Sequence, residues 1–586
     1  GKYEPNTTYH IEAVLSVSKR MAEVFVNGKK AGQRMFFAPV EAIERVMFRT
    51  GSERRFPDVD TPADWDGTLD KAGEREPEAS FAIANVKTEA TDANATAAFL
   101  KYDDYKHYVE YFNTMEDENI VQAIPNAKAW EWMTQNVPLF DCPNRDFEEM
   151  WYYRWWTLRK HIESTPVGYA MTEFLVKRNY ADKWKLISSG VGHHIHESRW
   201  LRDSTYLDQI VRTWYTGNEG KPMAKLLKYS SWIAHSLWQR HLVDGRQQWY
   251  INMLPSLEWE FNEWETTHTR EGGFYWQEDV RDAMEETISG GRKKKYLRPS
   301  INAYMYGNAM AISNIAKMAG DDRKAKTYFD KANDLKEKVH QKLWNERHAF
   351  FETHRVDSSA NVREAIGFMP WYTHMAKDEA KYGVAWLQAA DEKGFSAPYG
   401  QTTAERRHPE FRTHGVGQCE WDGAVWPFAT SQTLTAMANY LNDYSQPVIS
   451  DSLYFAEMEK YMQSQHMRGK PYIGEYLDET TGYWLKGDQE RSRYYNHSTW
   501  NDLMITGICG LRPRQDNTLE INPLLPEGKW AYFCLDNVLY HGHHISIVWD
   551  QDGSRYHAGK GLRVYVDGQL KGQRDSLGKI IIDNAL

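Results

Sequence analysis

Three short stretches hold most of the side chains that could do acid–base chemistry. Residues 274–290 read FYWQEDVRDAMEETISG, setting Glu278, Asp279, Asp282, Glu285 and Glu286 around a single Arg281 just after Trp276. Residues 418–428 read QCEWDGAVWPF, with Trp421 and Trp426 flanking Asp422 and Gly423, and Glu420 alongside. Residues 471–500 place Glu475 after a glycine among Tyr472, Tyr476, Tyr483 and Trp484, and end on Trp500. Hydrolysing a glycosidic bond takes one carboxyl to protonate the leaving oxygen and a second to activate water or attack carbon. Aromatic rings beside those carboxyls offer a face on which the C–H side of a pyranose packs. Plainer readings compete: an acidic first turn favoured by a helix dipole accounts for the first cluster, and a buried Trp pair capped by Asp422 for the second.

In order along the chain, the three stretches resemble motifs of the inverting α/α-toroid glycosidases, the clan of trehalases, family 63 processing α-glucosidases and mannosylglycerate hydrolases. There, an Asp in a Gly-x-Asp-type loop precedes a helix starting Asn-x-Tyr; Arg281-Asp282 and Asn302-Ala303-Tyr304 match here. The clan's Trp-x-Gly-x-x-Trp-Pro is matched by residues 421–427, and its Glu-Asn-Tyr-Asp-Pro-x-Thr-Gly, incompletely, by residues 475–482. The resemblance spans about residues 146–511. It implies an inverting glycoside hydrolase on an oligo- or polysaccharide, with Asp282 as general acid and Glu475 as general base, and no cofactor or metal; the Trp- and Tyr-rich loops add the expectation that it is exo-acting on a terminal sugar. The Ser-Gly that usually precedes the acid is replaced by Asp279-Val280, so Glu285 is a rival acid, as Glu420 is a rival base.

Substrate-binding roles are expected for Trp276, Arg281, Asn302, Trp421, Asp422, Trp426, Trp484 and Trp500. Trp200, Arg202 and Asp203 join them, because they head a helix whose counterpart in the clan points inward. The neighbouring His193, His194, His196 and Glu197 lack a helical H-x-x-x-H spacing, so hydroxyl recognition or packing is favoured over metal binding. In 150–161, aromatics occupy every helix face, leaving Arg154 and Trp155 as candidates for either core or cleft. Arg154, Arg202, Arg281 and Arg493 keep a uronic acid open as substrate. The rival functions are a polysaccharide lyase using His193, Arg493, Tyr494 and Asn496, a histidine-based epimerase or isomerase, a phosphorylase, and a non-catalytic glycan-binding protein.

Composition narrows the partners. Lys plus Arg number 71 against 81 Asp plus Glu, a net charge of -10, which disfavours nucleic acid and anionic membranes. No apolar run approaches a membrane span. Four scattered cysteines without a C-x-x-C pair argue against a zinc module or disulfide scaffold. A start at Gly1 without signal-peptide features reads as a trimmed chain; the function implied by the resemblance favours a periplasmic or secreted setting. Oligomeric state is not legible.

The elements that must position these residues are mainly helical. The pattern predicts an (α/α)6 toroid over 146–511, within a 100–511 catalytic domain, flanked by β-sandwich-like segments at 1–99 and 512–586. Helices are expected at 146–163, 197–215, 222–241, 301–318, 322–345, 378–392, 422–441, 449–465 and 497–509, with weaker ones at 281–288 and 363–373. Strand-like runs at 9–50 surround Asn27-Gly28, a strong hairpin-turn signal. An irregular stretch at 51–78 and an Ala-rich one at 88–98 follow.

Overall fold

The computed structural model describes residues 7–16, 21–35, 99–270 and 272–586. The chain divides into two compact units, 1–93 and 94–586. In the first, strands Ile11–Ser16, Met21–Val26 and Lys29–Met35 form an antiparallel meander. Asn27 (φ 51°) and Gly28 (φ 76°) both take the positive φ that a two-residue hairpin turn demands. The remaining strands expected up to residue 50 and the stretches 51–78 and 88–98 lie outside the described residues.

The second unit is built on a closed ring. Its six inner helical segments are Val191–Ser198, Ile233–Asp244, Pro299–Met318, 365–372, Pro427–Asp443 and 501–508. Each packs on the next, and the last packs on the first. That closure separates a toroid from an open solenoid. The other members of the hairpins are Ser204–Thr216, Gln247–His268, Asp322–Lys342, 380–390, Asp451–Ser464 and Arg145–Lys160.

Local sequence sets the helix starts. Pro299 and Pro427 stand in the first turn, where a missing N–H costs nothing. Asp203, Asp321 and Asn144 cap the helices that follow them with their side-chain oxygens. Gly320, at φ 78°, turns the chain between Pro299–Met318 and Asp322–Lys342. Helices Lys106–Asn113 and Ala129–Asn136 pack on Arg145–Lys160. That helix is therefore buried on nearly every face, which accounts for its all-round aromatics and puts Trp155 in the core.

The expected helix at 281–288 is instead a run of turns, with Ala283 and Glu286 at φ 58° and 70°. The expected 197–215 helix breaks before Asp203, and that at 222–241 starts only at Ile233. Gln247–His268 was not expected, because Pro255 interrupts its pattern.

After the ring, a five-stranded antiparallel sheet runs in the order Gln569–Arg574, Gly561–Val566, His543–Asp550, Tyr532–Tyr540, Leu139–Asp141. Its last strand comes from the segment just before Arg145–Lys160, so the ring and the sheet are tied together in one unit. One continuous hydrophobic core runs through both.

Candidate active site

The loop 277–291 is stapled at two points. Asp279 accepts from the backbone N–H of Val280 (2.8 Å) and Gly291 (3.3 Å). A Cβ on Gly290 would stand 2.1 Å from Asp279 Oδ2, so only glycine fits there. Asp282 is buried, and its Oδ2 takes a hydrogen bond from Arg298 Nε at 2.8 Å and another from the Ser300 hydroxyl. Ala283 then adopts the left-handed conformation and the chain delivers Glu285. Burial pushes the Glu285 carboxyl up to about 7; nearby Glu475 and Asp279 add to the rise, while its own backbone N–H and Arg292 oppose it.

Glu475 comes from the loop after Asp451–Ser464. A side chain on the preceding Gly474 would press within 2.7 Å of Trp484 and 2.9 Å of Tyr472, so glycine lets the turn close on those rings. Glu475 is 5% exposed, and Arg491 donates to its Oε2 at 2.7 Å. Burial raises its pKa, and Arg491, Lys486 and Arg178 only partly offset that rise.

A third carboxyl, Glu173, belongs to the same group. It accepts from Tyr495 Oη at 2.5 Å and Ser189 Oγ at 3.0 Å. Burial raises it to about 7, with Glu475 and Glu285 contributing through their charges. Phe174, Tyr229 and Tyr495, joined by Tyr180 and Ala283, form an apolar cluster beside these acids. Trp421 stacks on Trp426 at 4.3 Å between ring centroids, and Trp426 on Tyr476 at 4.4 Å. The Tyr476 hydroxyl bonds the Gln418 carbonyl, and Cys419 lies within the fields of Glu285 and Glu475. The three sequence stretches thus meet in one place.

Several expected binding residues do other work. Trp200 is wholly buried and donates to Asp502 at 2.7 Å. Arg202 ties Val137, Asn537 and Tyr102 together, and Asp203 caps its helix. Asn302 bonds the backbone of Tyr275 and Arg298. Asp422 accepts from the backbone of His414 and Gly415. Trp484 donates to the His466 carbonyl, and Trp500 is buried against Phe147 and Tyr461. Trp276 stacks on His268 under Lys295, and Arg281 is exposed. Glu420 pairs with Arg412 at 2.6 Å.

The histidine-rich segment is structural in its contacts. Glu197 accepts from the backbone N–H groups of Trp500, Asn501 and Asp502, His194 bonds the Asn496 carbonyl, and His196 meets Tyr372. Arg154 bonds Gln465 and Ser498 in the core. Glu173, Arg178 and Arg491 went unread because their significance rests on long-range proximity. The one local hint was the density of acids and cations among tyrosines.

A closed double ring of helices with carboxyls gathered on its connecting loops is the architecture of the six-hairpin glycosidases. The family model of the mannosylglycerate hydrolase MGH1-like glycoside hydrolase domain matches residues 183–498, more than half of the chain, and the chain belongs to this family. Two further models match, the sialidase-like CBM domain at 1–65 and the C-terminal domain of glycosyl hydrolase family 65 at 511–571. A solved structure named Sialidase is 63% identical, covering 100% of this chain and 54% of its own, with a TM-score of 0.84; the chain thus spans about half its length. A GH78 family rhamnosidase of Bacillus sp. GL1 shares the fold at 12% identity, covering 73% of this chain and 41% of its own, with a TM-score of 0.53. Among the described residues no helix is long and apolar enough to cross a membrane.

Proposed function

We propose that this glycoside hydrolase domain removes a terminal sugar from an oligo- or polysaccharide by single displacement, with Glu285 as general acid and Glu475 as general base. The observation that carries the assignment is the contrast in environment. Glu285 is raised to about 7 and has no bonded cation among the described residues, whereas Glu475 is bonded to Arg491. Glu285 holds a proton to give to the leaving oxygen, and Glu475 takes one from the water that attacks the anomeric carbon from the opposite face, inverting it.

Asp282, the acid expected from the sequence, is not the proton donor in this reading. Its Oδ2 is already bonded to Arg298 at 2.8 Å and to Ser300 in a buried pocket, so this carboxyl is committed to holding the loop. The clan's Gly-x-acid loop is better matched three residues on, by Ala283-Met284-Glu285. Ala283 there adopts the positive φ at which a glycine is at ease. The apolar tyrosine cluster beside the acids favours recognition of one terminal sugar, and a polysaccharide substrate suits a periplasmic or secreted enzyme. An NMR time course on cleaved nitrophenyl glycosides tests the mechanism: inverted product is expected, and retained configuration overturns it. Early release of mixed oligosaccharides from a polymer overturns exo action.

A further inference from the structure

The protein is acidic overall, yet cations crowd its carboxyl cluster. Arg178, Lys486 and Arg491 all lie close enough to Glu475 to lower its proton affinity. Arg491 is spent on Glu475. The other two have no ion-pair partner among the described residues. Arg178 lies over Phe174 and Tyr180, at 5.7 and 5.6 Å from the ring centroids, and its Nε is buried without a hydrogen-bond partner. Lys486 lies 5.4 Å from the centroid of Tyr476, at the end of the aromatic stack.

Half-burying a guanidinium and an ammonium without counter-ions costs free energy unless something else uses their charge. One use is on Glu475 itself, but Arg491 already provides a direct bond. Arg178 also presents planar donors beside aromatic faces, the geometry that reads a carboxylate on a ring.

We propose that Arg178, assisted by Lys486, forms an anionic subsite that receives the carboxylate of a substrate sugar, so that the preferred glycan carries a uronic or sialic acid unit. This rests on the hydrolase reading above for the location of the site. The neighbouring acids repel such a group less than ordinary carboxylates: burial raises Glu173 and Glu285 to about 7, and Glu475 is bonded to Arg491. Of the arginines noted in the sequence for this role, Arg154 and Arg202 are engaged in the core and Arg493 with Asp488 at 2.6 Å, while Arg281 is exposed.

Calorimetric titration of the whole chain with three matched pairs tests the subsite: glucuronate and glucose, galacturonate and galactose, N-acetylneuraminate and its methyl ester. At least one acid should bind about 10- to 100-fold more tightly than its neutral partner, the scale of a hydrogen bond to a charged group. Arg178→Gln should erase that preference and leave neutral binding within about twofold, while Glu475→Gln should keep it. The identity of the preferred pair separates the two acid sources. Equal binding within every pair, or a preference that survives Arg178→Gln, overturns the subsite. Failure of every glycoside to be hydrolysed would overturn the hydrolase reading instead and leave the binding result standing.

Discussion

The loops that deliver Glu285 and Glu475 solve opposite electrostatic problems. The first is rich in acids, and the buried Arg298 that follows it is committed to Asp282. Glu285 is largely buried, has no bonded counter-ion among the described residues, and is raised to about 7. The second loop supplies its own cation sixteen residues on, with Arg491 returning to Glu475. Burial raises both carboxyls, but only Glu475 has a bonded arginine drawing it back, an asymmetry of the kind a single-displacement reaction uses. In the proposed mechanism, the distribution of cations sets which carboxyl gives the proton and which takes it.

The strongest break in this comparison is to remove either reacting carboxyl. Glu475→Gln should lower kcat about 10²- to 10⁴-fold on every substrate, the usual scale of general acid–base catalysis, with ligand affinity nearly intact. Glu285→Gln should be as severe on alkyl glycosides but mild on nitrophenyl glycosides, whose leaving groups need little protonation. Steady-state kinetics on both classes checks this, and an equal loss on both would remove Glu285 from the acid role.

Asp282→Asn sharpens the contrast within one loop. It leaves Arg298 buried without its partner, which should cost about 3–5 kcal/mol of stability. Denaturant unfolding should show that loss, while activity per folded molecule falls less than in Glu285→Gln. Full stability with abolished turnover would restore Asp282 as the catalytic acid.

Much of the architecture was legible because it rests on local patterns. Pro299, the Gly320 turn and the Asp321 cap marked one helical hairpin, and Asn27-Gly28 marked a β-hairpin. Pro255 hid the 22-residue helix Gln247–His268, since a proline inside a helical pattern argues for a break. The site was legible as three loops but not as residues. Asp282 and Glu285 differ through Arg298, a partner that spacing does not reveal. Glu173 needs Tyr495, 322 positions away. The tryptophans misled for a different reason: Trp200 sits among acids and arginines in sequence and Trp500 among polar residues, yet both are fully buried, because this large ring consumes aromatics as core.

Glu173→Gln probes the shared charge of the group through stability. A carboxyl with a raised folded pKa binds more protons in the native than in the unfolded state between about pH 4.5 and 7. Stability therefore falls as pH rises through that window. Gln does not titrate; its oxygen accepts from one of Tyr495 and Ser189 and its NH2 donates to the other hydroxyl, as the protonated carboxyl does. The variant should match wild type below the window and gain up to about 3 kcal/mol above it. Unfolding free energies at pH 4 and 8 check this; an unchanged difference between the two pH values would show that Glu173 is ionised in the native protein.

The smallest effect, and the most specific to the comparison, is expected from Arg491→Gln. Arg491 is the principal group lowering the proton affinity of Glu475, through its charge and its hydrogen bond. Without it, burial acts with less opposition, Glu475 holds its proton to higher pH, and the acidic limb of kcat/KM should move up by about 1 to 2 pH units. The basic limb belongs to Glu285, which is not bonded to Arg491, so it should shift little, and the bell should narrow from one side only. Below its optimum the variant loses activity because the base is protonated, and raising the pH should recover part of the loss. A pH–rate profile that drops uniformly without moving its acidic limb would mean that Arg491 binds substrate rather than tuning Glu475. Movement of both limbs would mean that the two carboxyls titrate as one coupled pair, so that no single cation sets the difference between the loops.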